Sequence, residues 1–230
     1  MLEGLKKEVY EANMSLAKYG LIVLTWGNVS GIDRESGLAV IKPSGISYGA
    51  MTAEDMVVVS LDGDVAEGKY RPSSDTPTHL YLYKKYKDIG GVVHTHSTYA
   101  TSFAQAGKEI IAYGTTHADA FYGSVPCTRS LTKAEIEGEY ELNTGIAIGE
   151  LFDDEKAKAV PGVLVKNHGV FCWGENAKKA VENAVTLEEV AKMNYITKTV
   201  NPNTEAVDKF LLDKHYYRKH GKNAYYGQNR

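Results

Sequence analysis

Cysteine is scarce in this chain: Cys127 and Cys172 are the only two in 230 residues. Two residues cannot build the disulfide framework of a small secreted domain, and their spacing matches no zinc finger. They read instead as small buried hydrophobes in a reducing compartment. Long apolar runs are missing too. The stretch "MLEGLKKEVYEANMSLAKYG" interrupts its apolar residues with charges, so it has neither the apolar centre of a signal peptide nor the length of a membrane span. A soluble cytoplasmic protein is expected. Basic charge is not in excess either: a formal net charge of −3, with no run of one sign, argues against nucleic acid or an anionic membrane as the main partner. The nucleotide fingerprints G-x-G-x-x-G and G-x-x-x-x-G-K-[ST] do not occur.

What is present is an alternation of helical and strand-like patterns with no repeat, low-complexity tract or flexible linker. Leu2, Leu5, Val9, Ala12, Leu16 and Ala17 recur at helical spacing and predict an amphipathic helix ending at Gly20. The runs 21–26, 38–43 and 56–68 are β-rich, the last with Asp62-Gly63 as a hairpin turn. A helix is expected to open near Asp75, where Pro77 precedes Leu80, Leu82 and Tyr83. The strand "GGVVHTHST" follows. Thr132 and Glu135 form a capping box, "GVLVKNHGVFCW" reads as strand, turn and strand, and two amphipathic helices close the chain, the second over 204–221 and stopped by Gly221. One α/β domain over 1–230 is expected, a largely antiparallel sheet with helices on both faces.

Three imidazoles stand out in this pattern. His94 and His96 are two apart in a strand and so point to the same face. His168 sits at the bend of the later strand pair. Three imidazoles with open positions make one known form of catalytic zinc site, and Asp75 is available to complete the set. The ordinary role for Asp75 is to cap its helix. Three short runs, "WGNVSG", "KPSG" and "PSSD", place glycine and hydroxyl residues at strand ends or a helix start, where amide groups can meet phosphate oxygens. Lys42 adds a cation, and together these favour a small phosphate ester.

The succession "TWGNVSG", "IKPSG", "PSSDTPTH", "VVHTHS", "GTTHADAFYG", "PGVLVKNHG" and "LLDKHYYRKHGKNAYYGQ" resembles the class II aldolase/adducin family from end to end, and within it the sugar-phosphate 4-epimerases. The resemblance implies a three-layer α/β/α fold with a central, mostly antiparallel sheet. It puts Asp75, His94, His96 and His168 on metal positions and Asp119 and Tyr226 on acid/base positions. Gly27, Asn28, Ser44, Gly45, Ser73 and Ser74 fall on substrate-binding positions, with Lys42, Thr115 and His215 as neighbours. It also implies Zn2+ or another divalent ion, a sugar-phosphate substrate, and a homotetramer with sites between subunits.

The reaction so implied interconverts L-ribulose 5-phosphate and D-xylulose 5-phosphate, in arabinose or ascorbate-type catabolism. The two sugars differ at C4, which is β to the C2 ketone, so its hydrogen is not acidic enough for simple deprotonation. Retro-aldol cleavage of C3–C4 and re-addition to the rotated aldehyde inverts C4, with zinc stabilising the enediolate and Asp119 and Tyr226 serving one aldehyde face each. Two other readings stand beside this one. A class II sugar-phosphate aldolase would release both fragments, but the related aldolases carry glutamate where Asp75 stands. An adducin-like interaction module would lack the metal residues. The unremarkable roles are a turn residue for Asp119 and a surface aromatic for Tyr226.

Overall fold

A computed structural model describes residues 2–222 and 224–227. The valine-rich runs become strands β1 (Asn28–Asp33), β2 (Leu38–Ile41), β3 (Val57–Ser60), β4 (Val65–Glu67), β5 (Gly91–Thr95), β6 (Gly162–Leu164) and β7 (Val170–Gly174). Among the described residues they form one sheet in the order β4-β3-β2-β1-β5-β7-β6, every neighbouring pair antiparallel. The expected mixed α/β architecture, with its antiparallel sheet, is what the chain adopts. The helices are, in chain order, α1 (Glu3–Lys18), α2 (Thr76–Lys85), α3 (Thr98–Ala106), α4 (Thr115–Ala118), α5 (Lys133–Glu137), α6 (Tyr140–Gly149), α7 (Asp154–Ala159), α8 (Ala177–Val200) and α9 (Lys209–Tyr217).

Side-chain alternation along the strands decides which helix covers which face. Val29 donates its amide to Asn13 of α1, and a side chain at Gly31 would strike Leu5 and Val9 of that helix. Gly91 has α8 backbone against it in the same way. α1, α3 and α8 therefore lie on one face. On the other, Ser30 meets His79 and Tyr83 of α2, Phe171 meets His79, and Trp173 donates its indole N–H to Ala157 of α7. The core between these layers is fully buried at Val29, Val58, Leu82, Val92, Phe171 and Leu187.

Two expectations need correction. The apolar run 21–26 is not a strand: Leu24 has a left-handed φ of 57°, and Val23, Leu24 and Trp26 are 55%, 75% and 52% exposed. The strand begins two residues later. Asn28 and Ser30, polar residues in a central strand, are tolerated because each has side-chain partners. The last helix is also shorter than 204–221, since the Val207 amide bonds to Ala112 and holds that segment out of a helix until Lys209. The turn at Asp62-Gly63 and the Thr132/Glu135 capping box form, but the last helix stops at Tyr217 with Arg218 as its C-cap, four residues before Gly221 (φ 96°).

Candidate metal centre and anion pocket

β5 and β7 are adjacent, with His94 opposite Phe171 and Thr95 opposite Val170. That register sets His94 and His96, at the end of β5, beside the tight β6–β7 turn that carries His168. The turn is closed by Val165 N–H to Gly169 O (2.9 Å) and His168 N–H to Val165 O (3.0 Å), with Asn167 in the left-handed region at φ 62°. A Cβ at position 169 would lie 2.7 Å from the Thr95 oxygen and 3.1 Å from the His94 ring, so glycine is what lets the two chain segments close on each other.

His94 Nδ1 donates to the Val170 carbonyl at 3.0 Å, which leaves its Nε2 as a lone pair. That Nε2 stands 3.0 Å from His96 Nε2, and the potential ligand atoms of His94, His96 and His168 all lie within 4.8 Å of one another. A cation placed between them satisfies this convergence. Phe171 stacks beneath His94 at 4.3 Å and fixes the plane of its ring. Burial holds the His168 imidazole down at about 4, with His94 adding to the effect, and the partly enclosed His96 is lowered by the same two causes. Both are neutral at pH 7, the form that binds metal.

Asp75 is at the N-cap position of α2 but makes no side-chain cap bond. Its carboxylate accepts from Asn28 Nδ2 at 2.7 Å instead. Burial raises its pKa, but His94, His79 and the Asn28 amide outweigh that and hold the group below the ordinary range, so it is an anion beside the three imidazoles. The three imidazoles, with an open side, fit a divalent ion; Asp75 lies outside that converging group and lines the same pocket beside it.

The open side faces a pocket of about 350 Å³ lined by Gly27, Asn28, Lys42, Ser44, Ser73, Ser74, Asp75 and the three histidines. Gly45 follows Ser44 in the same loop but is not on the lining. Lys42 is 2% exposed, with Nζ donating to the Pro43 and Ile46 carbonyls and lying 5.0 Å from the centre of the Tyr48 ring. Burial lowers its pKa, and among the described residues no carboxylate pairs with it, so its charge is met only by two carbonyls and an anionic ligand in the pocket would stabilise it. The amides expected to serve that anion are partly occupied, because Ser44 N–H bonds to Arg71 O and Ser73 N–H to Lys42 O. Their hydroxyl groups carry the expectation instead.

The remaining candidates lie elsewhere on the chain. Thr115, Asp119 and Tyr226 line a larger groove of about 1400 Å³ that shares no lining residue with the histidine pocket. There Asp119 accepts from His215 Nδ1 (3.0 Å), Arg218 Nη2 (2.6 Å) and Lys219 Nζ (3.2 Å). Burial acts to raise its pKa, but Arg218 and His215 outweigh that and keep it ionised. Tyr226 is 60% exposed and stacks on the Arg218 guanidinium at 4.8 Å. Sequence reasoning missed Arg218, although it lies one helical turn from His215 and so on the same side of the chain. It also missed Trp26, whose ring centre lies 6.4 Å from that of His96.

Fold and site together define a mixed α/β protein with a three-histidine cluster opening on a polar pocket. The chain belongs to the class II aldolase/adducin family, whose Class II Aldolase and Adducin N-terminal domain matches residues 7–195. It is similar to a solved L-fuculose 1-phosphate aldolase at 27% identity, over 94% of this chain and 95% of that one, with a TM-score of 0.76. YgbL from Escherichia coli, a putative aldolase/epimerase/decarboxylase, superposes with a TM-score of 0.73 at 22% identity over 92% and 97% of the two chains. The L-fuculose 1-phosphate aldolase from Glaciozyma antarctica PI12 shares the fold at 20% identity, over 96% and 84%, with a TM-score of 0.76. Class II aldolases are divalent-metal dependent, in keeping with the histidine cluster. Among the described residues no helix is long and apolar enough to cross a membrane.

Proposed function

We propose that this single-domain chain is a zinc-dependent L-ribulose-5-phosphate 4-epimerase, interconverting L-ribulose 5-phosphate and D-xylulose 5-phosphate. The observation that carries the reading is one pocket lined by three converging imidazoles, an ionised Asp75, serine hydroxyls and a buried Lys42 that has no carboxylate partner among the described residues. Such a pocket suits a ligand with a phosphate at one end and oxygen donors at the other. Zinc, which His94, His96 and His168 would hold, would supply Lewis acidity that stabilises negative charge developing on the ketose oxygens. Lys42, Ser44, Ser73 and Ser74, with Gly45 beside them, hold the phosphate, and Gly27 and Asn28 shape the floor.

The protein's own groups do the rest. A base removes the C4 hydroxyl proton, the C3–C4 bond breaks, and the phosphate grip retains the glycolaldehyde phosphate while its aldehyde turns. Re-addition from the other face, with proton return to the new C4 oxygen, completes the inversion. Asp119 and Tyr226 act one on each face, and Thr115 and His215 position them. Because Thr115, Asp119 and Tyr226 line a different groove of the same chain, with His215 bonded to Asp119, we assign all four to the site of a neighbouring copy in a homotetramer. Protein purified without added metal should contain zinc, convert L-ribulose 5-phosphate, and lose both properties on His96→Asn. Full metal occupancy in that variant counts against the centre.

An aldolase reading is favoured by the likeness to L-fuculose 1-phosphate aldolase. The short Asp75, tied to Asn28, is the feature that favours epimerisation. Steady release of glycolaldehyde phosphate and dihydroxyacetone without C4 inversion would decide for the aldolase.

A further inference from the structure

Metal-bound histidines are oriented by what their second ring nitrogen donates to. For His94 that partner is a strand carbonyl, at Val170. His168 sits in a turn, and its Nδ1 lies 3.3 Å from the Tyr140 hydroxyl oxygen, the two rings 5.8 Å apart and tilted by 39°. Tyr140 is the first residue of α6. That helix is seated on α2 very closely: a Cβ at Gly145 would come within 2.9 Å of Tyr81 Cβ, and one at Gly149 within 2.7 Å of the Tyr81 hydroxyl. Thr78 Oγ1 donates to the Glu141 carbonyl at 2.5 Å and fixes the two helices in register. The same helix pair thus presents Asp75 from the start of α2 and Tyr140 from the start of α6.

We propose that Tyr140 is a positioning residue of the metal centre. Its hydroxyl oxygen accepts the Nδ1–H of His168, which selects the tautomer with a free Nε2 lone pair and aims that lone pair at His94 and His96. The proposal rests on the metal reading of the three histidines. It gives the α2–α6 seating a task beyond packing, since a shift of α6 would withdraw the oxygen from His168. It also assigns a role to a residue outside every motif that marked the site in the sequence.

The test is Tyr140→Phe, which removes one oxygen and keeps the ring. Three measurements are made on the full chain: zinc affinity by competition with a chromophoric chelator, the His168 tautomer in metal-free protein by long-range ¹H–¹⁵N NMR, and the urea midpoint. The expected result is zinc binding weaker by about ten- to a hundredfold and a reduced Nδ1–H population at His168, with the urea midpoint close to the parent. A structural role alone would lower the midpoint and leave the tautomer as it was. Unchanged zinc affinity or an unchanged tautomer overturns the proposal. A parent protein whose zinc binding does not depend on His96 overturns the metal reading itself, a failure separate from an unaltered Tyr140→Phe in a parent that does bind.

Discussion

His117 is 3% exposed, donates Nε2–H to the Gly123 carbonyl at 2.7 Å, and keeps Nδ1 buried without a partner. Burial lowers its pKa from 6.5 to about 4, against the opposing pull of the Gly123 bond. The unfolded chain therefore takes up this proton first. Stability present above pH about 6.5 should be lost as the pH falls towards 4, by roughly 3 kcal/mol for this residue alone. Fully buried His79, lowered to about 3, acts in the same direction. Urea midpoints between pH 7 and 4 should fall steeply in the parent and less steeply in His117→Gln; parallel curves would remove His117 from the account. In the anion pocket, Ser74→Asp should raise KM for the phosphorylated sugar by about tenfold or more through like-charge repulsion, with kcat less affected, and an unchanged KM would move the phosphate elsewhere. The histidines, serines and Lys42 that line this pocket were legible in sequence because each sits at a strand end or turn whose local pattern is complete within a few positions, whereas Trp26 was not. Asp75 shows the limit. Its position marks a helix cap, and only the Asn28 amide across the pocket shows that the carboxylate is turned to another use.

α3 follows His96 directly, yet its N-cap residue Ser97 makes no side-chain cap bond. Glu188 of α8 takes that place, accepting the amides of Tyr99 and Ala100 at 2.8 and 2.9 Å. A carboxylate on two free amides at a helix N-terminus is a charge-assisted contact. Glu188→Ala should therefore cost about 1–2 kcal/mol in urea unfolding, Glu188→Gln should recover part of it, and an unchanged midpoint would mean that solvent replaces the carboxylate. The same contact shows why some elements could not be read locally. α1, α2 and α8 announce themselves by periodic apolar residues, whereas α3 depends on a cap 90 positions downstream. α6 was hidden because Gly145 and Gly149 break its helical pattern, and those glycines are there to let Tyr81 approach. β1 was hidden because Asn28, Ser30 and Gly31 lack the apolar alternation of a strand; their reasons are Asp75, His79 and α1.

Across the whole molecule, the site residues divide between two grooves of one chain, with Asp119 and Tyr226 on the side of α9 and the histidines at the ends of β5 and β6. No local signal in sequence could show this division, because it depends on how the closing helix is laid against α4. If neighbouring copies complete each other's sites, Tyr226→Phe should reduce epimerisation by about 10²-fold or more while zinc and fold persist. Co-refolded with the inactive His96→Asn protein, it should regain activity through oligomers that pair an intact metal centre with an intact Tyr226. Mixtures no more active than their separate components would place both groups in one chain's site. The two indoles of the chain are also divided by the fold. Trp173 is 2% exposed and packed edge-on against Phe152, while Trp26 is 52% exposed and stands at the mouth of the histidine pocket. The protein thus carries two intrinsic fluorophores in unlike surroundings: blue-shifted emission from Trp173 reports the integrity of the sheet, and red-shifted emission from Trp26, open to quenching by a paramagnetic ion at the three histidines, reports the state of the pocket without any label.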